Sequence, residues 1–351
     1  MNKIHAIYLS NDIIKWFVQH KRELPWRENC SPYQVWISEI MLQQTQVNTV
    51  IPYYLNWLNL FPSIEVLAQS SESEVIKAWE GLGYYSRARS IHKAAKLLVE
   101  KFNSQLPTNR KALEAIPGIG PYTAGAILSF AFKQKAHALD GNVIRIFSRL
   151  HKLDHDVSKP IVIKALRQSL FDSLGDDQPW VVMEGLIELG ALICNKNPKC
   201  HICPIKVHCK ARKTGDQLDY PKKKKPPQMT LLERALFCLT YKGQVLIKLG
   251  QEKLMQDLWH FPFCDLEDDA DAFLNGLGFK NRIKINHFNP VSHSFTRFRC
   301  TLFPTVWKVG QKIEIKGFKW VDIMALHELP FQSGHRQIKE KLVDNSQTSY
   351  T

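Results

Sequence analysis

Nowhere do the 351 residues string together the ~18 apolar side chains of a membrane-spanning helix, so none is expected. The N-terminal MNKIHAIYLSNDIIKWF lacks both a signal-peptide core and a small-residue cleavage site, and the protein is expected to be intracellular. No internal repeat is visible, so the chain is not a repeat array. What remains is ordinary globular composition, 44% hydrophobic and 23% charged, in a chain long enough for two domains with separate cores.

Cysteine is scarce outside one short segment. Four of the eight are scattered, whereas Cys194, Cys200, Cys203 and Cys209 fall within sixteen residues as C-x5-C-x2-C-x5-C. Such crowding marks thiolate ligands for a metal centre. Zinc ribbons usually pair two C-x2-C knuckles across a longer gap, and only one is present. Four thiolates with two wider gaps in one loop better suit a cubane [4Fe–4S] cluster, with zinc the alternative. Disulfides rank third in a chain with no secretory segment.

The net charge of +14 is uneven. Residues 1–225 hold 31 Lys/Arg against 20 Asp/Glu, and residues 226–351 hold 16 against 13. A basic first part beside a nearly neutral second points to a polyanion bound mainly by the first, with a generically basic, soluble protein as the bland alternative.

Apolar residues recur at three- and four-residue spacing over 33–60, 72–101, 110–132, 142–151 and 160–193, which predicts a helical domain over residues 1–213. TGDQLDYPKKKKPPQ, residues 214–228, breaks the pattern with Gly, Pro and a lysine run and reads as an exposed linker. Beyond it, strands are expected at 235–241, 244–249, 300–308 and 312–317, with a hairpin turn at 241–244 and helices at 268–277 and 333–343. The second domain, 229–345, is therefore read as α+β, with 346–351 a tail.

Several segments carry chemistry. In LEAIPGIGPYTAGAILSFA (113–131) one helix ends at Pro117-Gly118 and Pro121 opens the next. Gly118 and Gly120 would let the backbone approach a DNA phosphate, a helix–hairpin–helix grip that reads no sequence. A plain helical hairpin is the duller possibility. Asp140, in LDGNV, is by default an N-cap, which does not exclude a chemical role for its carboxylate. PYQVWISEIMLQQTQV (32–47) reads as one amphipathic helix with Glu39, Gln43 and Gln46 on a polar stripe. A solvated face is the usual meaning of such a stripe. Yet Glu39, flanked by Ile37, Ile40 and Met41, can acquire the raised pKa of a general acid, and the amide run suits hydrogen bonds to bases. In GLGYYSR (81–87), Leu82 and Tyr84 could wedge into a base stack or pack inward as an ordinary helix–helix turn.

Together, LPWR (24–27), PYQVWISEIMLQQTQV, GLGYYSRAR (81–89), the hairpin, LDGNV and the four cysteines resemble, in the same order, the adenine DNA glycosylases of base-excision repair, the MutY family of helix–hairpin–helix glycosylases. The resemblance implies an all-α glycosylase domain with a [4Fe–4S] loop and a C-terminal MutT-like (Nudix-like) domain. It also implies a monomeric, cytoplasmic, nucleoid-associated bacterial enzyme acting on double-stranded DNA with A:8-oxoguanine or A:G mispairs. Adenine is flipped out of the duplex. Glu39 would protonate it at N7, Asp140 would stabilise the oxocarbenium-like sugar or a covalent intermediate, and Asn142 would help hold the site. Trp26, Arg27 and Glu184 match the adenine pocket. Gln43 and Gln44 supply the amides, and Gln44, Leu82 and Tyr84 match residues that fill the stack. Bifunctional relatives carry a lysine two residues past the second hairpin glycine. Tyr122 stands there and joins the catalytic group, so little strand cleavage is expected.

Two positions depart from the family pattern. Asn195–Lys199 gives five residues where the first cysteine gap usually has six, and the lesion-reading Phe-Ser-His becomes Phe295-Thr296-Arg297, where Thr296 keeps a hydroxyl and Arg297 brings a fixed cation. Residues 229–345 contain no acidic Nudix box, so pyrophosphohydrolysis is not expected. The competing readings are an endonuclease III-like oxidised-pyrimidine glycosylase/lyase, which Tyr122 opposes, and a non-catalytic iron–sulfur DNA-binding protein, which has no need of Glu39 and Asp140.

Overall fold

The computed structural model describes residues 3–27, 30–223, 228–251, 258–295 and 297–348. The chain forms two units: Met1–Glu72 with Tyr84–Lys225, and Ser73–Gly83 with Pro226–Thr351.

The first unit is helical. Four of its helices open on proline, at Pro32, Pro121, Pro160 and Pro179, where the missing N–H costs nothing. Its core is built around the helix Pro179–Leu192. Val182, Met183, Leu186 and Leu189 are fully buried there, packed with Leu9 and Ile13 of the helix Lys3–His20 and Phe147 of the helix Gly141–His151. The expected exposed linker does not begin at 214. Tyr220 is buried with its hydroxyl donating to Asp154, and Val157 N–H donates to the Lys222 carbonyl. An aromatic ring and a pair of hydrogen bonds outweigh the Gly/Pro/Lys composition as far as Lys222. Residues 224–227 lie outside those described.

The second unit holds one mixed sheet: β1 (Thr230–Tyr241), β2 (Gln244–Leu249), β3 (Trp259–His260), β4 (Phe263–Asp265), β5 (Arg282–His287), β6 (Val291–Phe295), β7 (Phe298–Val309) and β8 (Phe318–Asp322). β1 and β7 run parallel along their length, Thr230 opposite Phe298 and Thr240 opposite Lys308. Alternate residues of β1 feed two cores. Leu236 and Cys238 join Ile338 and Leu342 of the helix Ser333–Thr348; Phe237 and Leu239 join Leu274 of the helix Ala270–Gly276. The strand expected at 312–317 is absent. Ile313 and Ile315 pack against the second of these cores without pairing, the chain turns at Gly317 (φ +85°), and the strand follows as β8.

Ser73–Gly83 lies inside the helical region by sequence but belongs to this unit by packing. Its anchor is Glu80. One carboxylate oxygen accepts from Phe331 N–H at 2.8 Å and Lys339 Nζ at 3.3 Å, the other from Lys77 Nζ at 2.6 Å.

Candidate active site

Ser31 and Gln34 cap the start of the helix Pro32–Met41 reciprocally. The helix does not continue to Val47 as expected. Gln44 takes a left-handed conformation (φ 60°), and Arg87 Nη1 donates to the carbonyls of Ile40, Met41 and Gln43, which a further turn would have used. The next helix begins at Val47. Glu39, Gln43 and Gln46 therefore share no helical stripe, yet all three line one cavity.

Glu39 sits in the last turn of that helix at 6% exposure, its Oε2 accepting from the Tyr122 hydroxyl at 2.7 Å. Burial pushes its carboxyl up to about 7, against the Tyr122 bond, with Asp140 and Glu184 pushing the same way and Arg27 opposing. A carboxyl that titrates near neutrality can hold or release a proton there. Tyr122 comes from the hairpin. Gly118 has φ +80°, and a Cβ there would lie 2.6 Å from Ser90 Cβ, so this turn requires glycine. Gly120 is extended and a Cβ on it would meet nothing within 4 Å, so its side faces open space.

Asp140 is indeed the N-cap of Gly141–His151, accepting from Val143 N–H at 2.7 Å and from Asn142 Nδ2 at 2.8 Å. Burial raises its pKa against those bonds. Arg145 fixes Asn142 in turn, donating to its Oδ1 at 2.8 Å and to the carbonyls of Gly190 and Cys194.

Glu39, Tyr122, Asp140, Asn142, Trp26, Arg27, Gln43, Gln44 and Glu184 all line the cavity, of about 750 Å³. Trp26 is buried edge-on against Tyr54, and Gln43 donates to Thr123 Oγ1 at 3.2 Å. Glu184 faces Arg27 Nε at 3.9 Å, and burial raises its pKa in spite of Arg27. Two further charged lining residues were not expected, Glu188 and Arg22. Glu188 is fully buried. Burial would raise its carboxyl, but hydrogen bonds from Arg22 and Arg27 outweigh that and hold it at about 2. The signal was available: Glu184 and Glu188 are the only charges in the otherwise apolar helix Pro179–Leu192, one turn apart.

The remaining expected residues lie elsewhere. Leu82 is buried at 6% while Tyr84 is 47% exposed beneath the Arg87 guanidinium, so only Tyr84 is presented to a partner as it stands. Arg297 covers the Phe298 ring, and Thr296 lies outside the described residues. Cys194, Cys200, Cys203 and Cys209 surround a separate hollow walled by Ile146, Leu150, Ile193 and Ile205. Arg149 Nη1 donates to Cys194 Sγ at 3.3 Å. Burial raises the thiols of Cys200 and Cys209, and pushes Cys203 up to about 12.

Residues 37–171 match the HhH-GPD superfamily of base excision DNA repair proteins, and residues 235–341 match the NUDIX domain. The adenine DNA glycosylase of Buchnera aphidicola subsp. Baizongia pistaciae is 36% identical over 307 residues, 86% of each chain. This chain belongs to the adenine DNA glycosylase family. The corresponding enzyme of Buchnera aphidicola subsp. Schizaphis graminum is 34% identical, covering 95% of this chain and 99% of its own, and the human one is 39% identical over 58% of this chain and 39% of its own. Among solved structures, a thermostable thymine-DNA glycosylase superposes with TM-score 0.55 at 25% identity, covering 60% of this chain and 97% of that one. A trapped endonuclease III–DNA covalent intermediate, at TM-score 0.52 and 23% identity over 61% of this chain and 99% of that one, shares the helical fold. The family is one of hydrolases acting on N-glycosyl bonds in base-excision repair, and DNA is its partner. Among the described residues, no helix is long and apolar enough to cross a membrane.

Proposed function

We propose that this chain hydrolyses the N-glycosidic bond of adenine mispaired with 8-oxoguanine or guanine in duplex DNA, acting as a monomer with little strand cleavage. The observation that carries the reading is Glu39, an acid held near pH 7 in a cavity that also contains Asp140. The flipped adenine takes the Glu39 proton at N7 and the C1′–N9 electron pair leaves with the base. Water then adds to C1′, and Asp140 offsets the positive charge that the sugar carries in between. Trp26, Arg27 and Glu184 form the adenine subsite. Gly118 and Gly120 take a phosphate, Gln43, Gln44 and Tyr84 fill the opened stack, joined by Leu82 once it leaves its buried position, and the second unit reads the lesion through Thr296 and Arg297. Tyr122 occupies the position where a lyase would carry its lysine, which disfavours the endonuclease III-like alternative.

The test is a duplex with one A:8-oxoguanine pair, incubated and then treated with alkali. Scission of the adenine strand is expected; an intact strand with iron-replete protein would overturn the proposal. Comparing single-turnover rates opposite 8-oxoguanine and opposite guanine, with Arg297→His as control, measures the part played by the altered loop.

The four cysteines are proposed to hold a [4Fe–4S] cluster, with Lys196, Lys199, Lys206 and Lys210 around them facing DNA phosphates. The donor set fits. Buried thiols with raised pKa values become thiolates only beside a strong positive charge, and an apolar hollow edged by Arg149 suits a cluster of low net charge. Bound by the four cysteine thiolates, such a cluster would cross-link the loop and take no part in proton transfer. Purified protein should be brown and contain about four iron and four sulfide per chain. Stoichiometric zinc in colourless, active protein would eliminate the cluster.

A further inference from the structure

Glu188 lines the cavity, yet nothing on a substrate can reach its carboxylate. Oε1 accepts from Arg22 N–H at 3.0 Å and Arg22 Nε at 2.7 Å, and Oε2 from Arg22 Nη2 at 2.8 Å and Arg27 Nη2 at 2.7 Å. Both oxygens are saturated by cations, and the side chain is wholly buried. Arg27 is held on every side. Its Nη1 donates to the Arg22 carbonyl at 2.8 Å, its Nη2 to Glu188, and its flat face covers Phe17. Only Nε points toward another carboxylate, Glu184, at 3.9 Å.

The groups acting on Glu39 come from every side of the cavity: Tyr122 across the hydrogen bond, Asp140 from the start of its helix, Glu184 from the facing helix, and Arg27 from the loop before Pro32. Arg27 is the one cation among them, and Glu188 restrains it. A guanidinium released from Glu188 has two carboxyls to turn to, Glu184 and then Glu39. Its approach to Glu39 favours the ionised carboxylate, and an ionised Glu39 has no proton to give.

We propose that Glu188 is a positioning residue for base excision: it clamps Arg22 and Arg27 in one arrangement, so that Arg27 borders the cavity without pairing with Glu39. The proposal rests on Glu39 being the general acid.

Three proteins test it: the full-length wild type, Glu188→Gln, and the double variant Arg22→Gln/Glu188→Gln. Two quantities are measured, the Glu39 carboxyl titration by ¹³C NMR without DNA and the single-turnover excision rate against pH. Glu188→Gln should move the Glu39 titration and the alkaline limb of the rate profile down together by about 0.5–1 pH unit, lowering the rate at pH 8 by roughly 3–10-fold. The double variant has the same net charge as the wild type but leaves Arg27 unclamped, so its limb should stay low. A folded Glu188→Gln protein with the wild-type titration, or a double variant whose titration returns to the wild-type position, would overturn the clamp. Should Glu188→Gln fail to fold, the double variant, with its charge balance restored, decides alone. Because the titration needs no substrate, a chain that excises no adenine defeats the proposed function and still tests the clamp.

Discussion

Glu39→Gln should abolish adenine excision while leaving DNA binding intact, with a loss on the order of 10²–10⁴ in single-turnover rate. Glutamine preserves the shape and can still accept from the Tyr122 hydroxyl, so only the proton is removed. A retained rate within tenfold of wild type would exclude Glu39 as the acid. The pH dependence has a definite sign. With Glu39 as the proposed general acid, its protonated form is the one expected to act, so the wild-type rate should fall as pH rises through about 7. The same carboxyl weighs against stability. A folded-state pKa above the unfolded value of 4.5 means that the native state binds more protons between the two, so stability falls as pH rises from about 4.5 to about 7. Glu39→Gln should therefore be more stable than wild type at pH 8, by roughly 1–3 kcal/mol, with the difference vanishing near pH 4. Paired thermal melts at the two pH values check this.

Asp140→Asn should separate the two roles of that residue. Asparagine caps a helix about as well as aspartate, and the bond from Val143 N–H can persist. The stability loss should stay below about 1 kcal/mol. The negative charge beside the sugar disappears, and on the order of 10²–10³ in excision rate should go with it. If melting temperature and activity fell in step across Asp140→Asn and Asp140→Ser, capping alone would account for the residue.

That Glu39, Tyr122 and Asp140 share one cavity was open to expectation from the sequence mainly through the family resemblance, since each sits in a short motif that the family also carries. Pro121 opens a helix, Asp140 caps one, and Glu39 interrupts an apolar turn. The clamp was less legible, because Arg22, Arg27 and Glu188 meet across more than 160 residues and only packing brings them together. The length of the helix that starts at Pro32 could not be read locally either. It is ended by Arg87, a residue from another helix, while the QQTQ run remains compatible with further helical turns. In the second unit, β1, β2 and β7 announce themselves by apolar runs bounded by turn residues, β7 with β-branched and aromatic side chains as well. β5 was not expected although Arg282-Ile283-Lys284-Ile285 alternates as a strand does; it is a short edge strand whose residues are mostly exposed.

The excursion of Ser73–Gly83 into the second unit makes that unit discontinuous: the chain contributes to it, leaves, and returns about 140 residues later. The lysine-rich stretch after residue 221 is therefore not a seam along which the protein can be divided. A chain truncated after residue 225 would strip Trp79 of the unit in which it is fully buried and leave the Glu80 carboxylate without Phe331 N–H and Lys339. A shortened protein therefore inherits the loop with Leu82 without the unit that moors it.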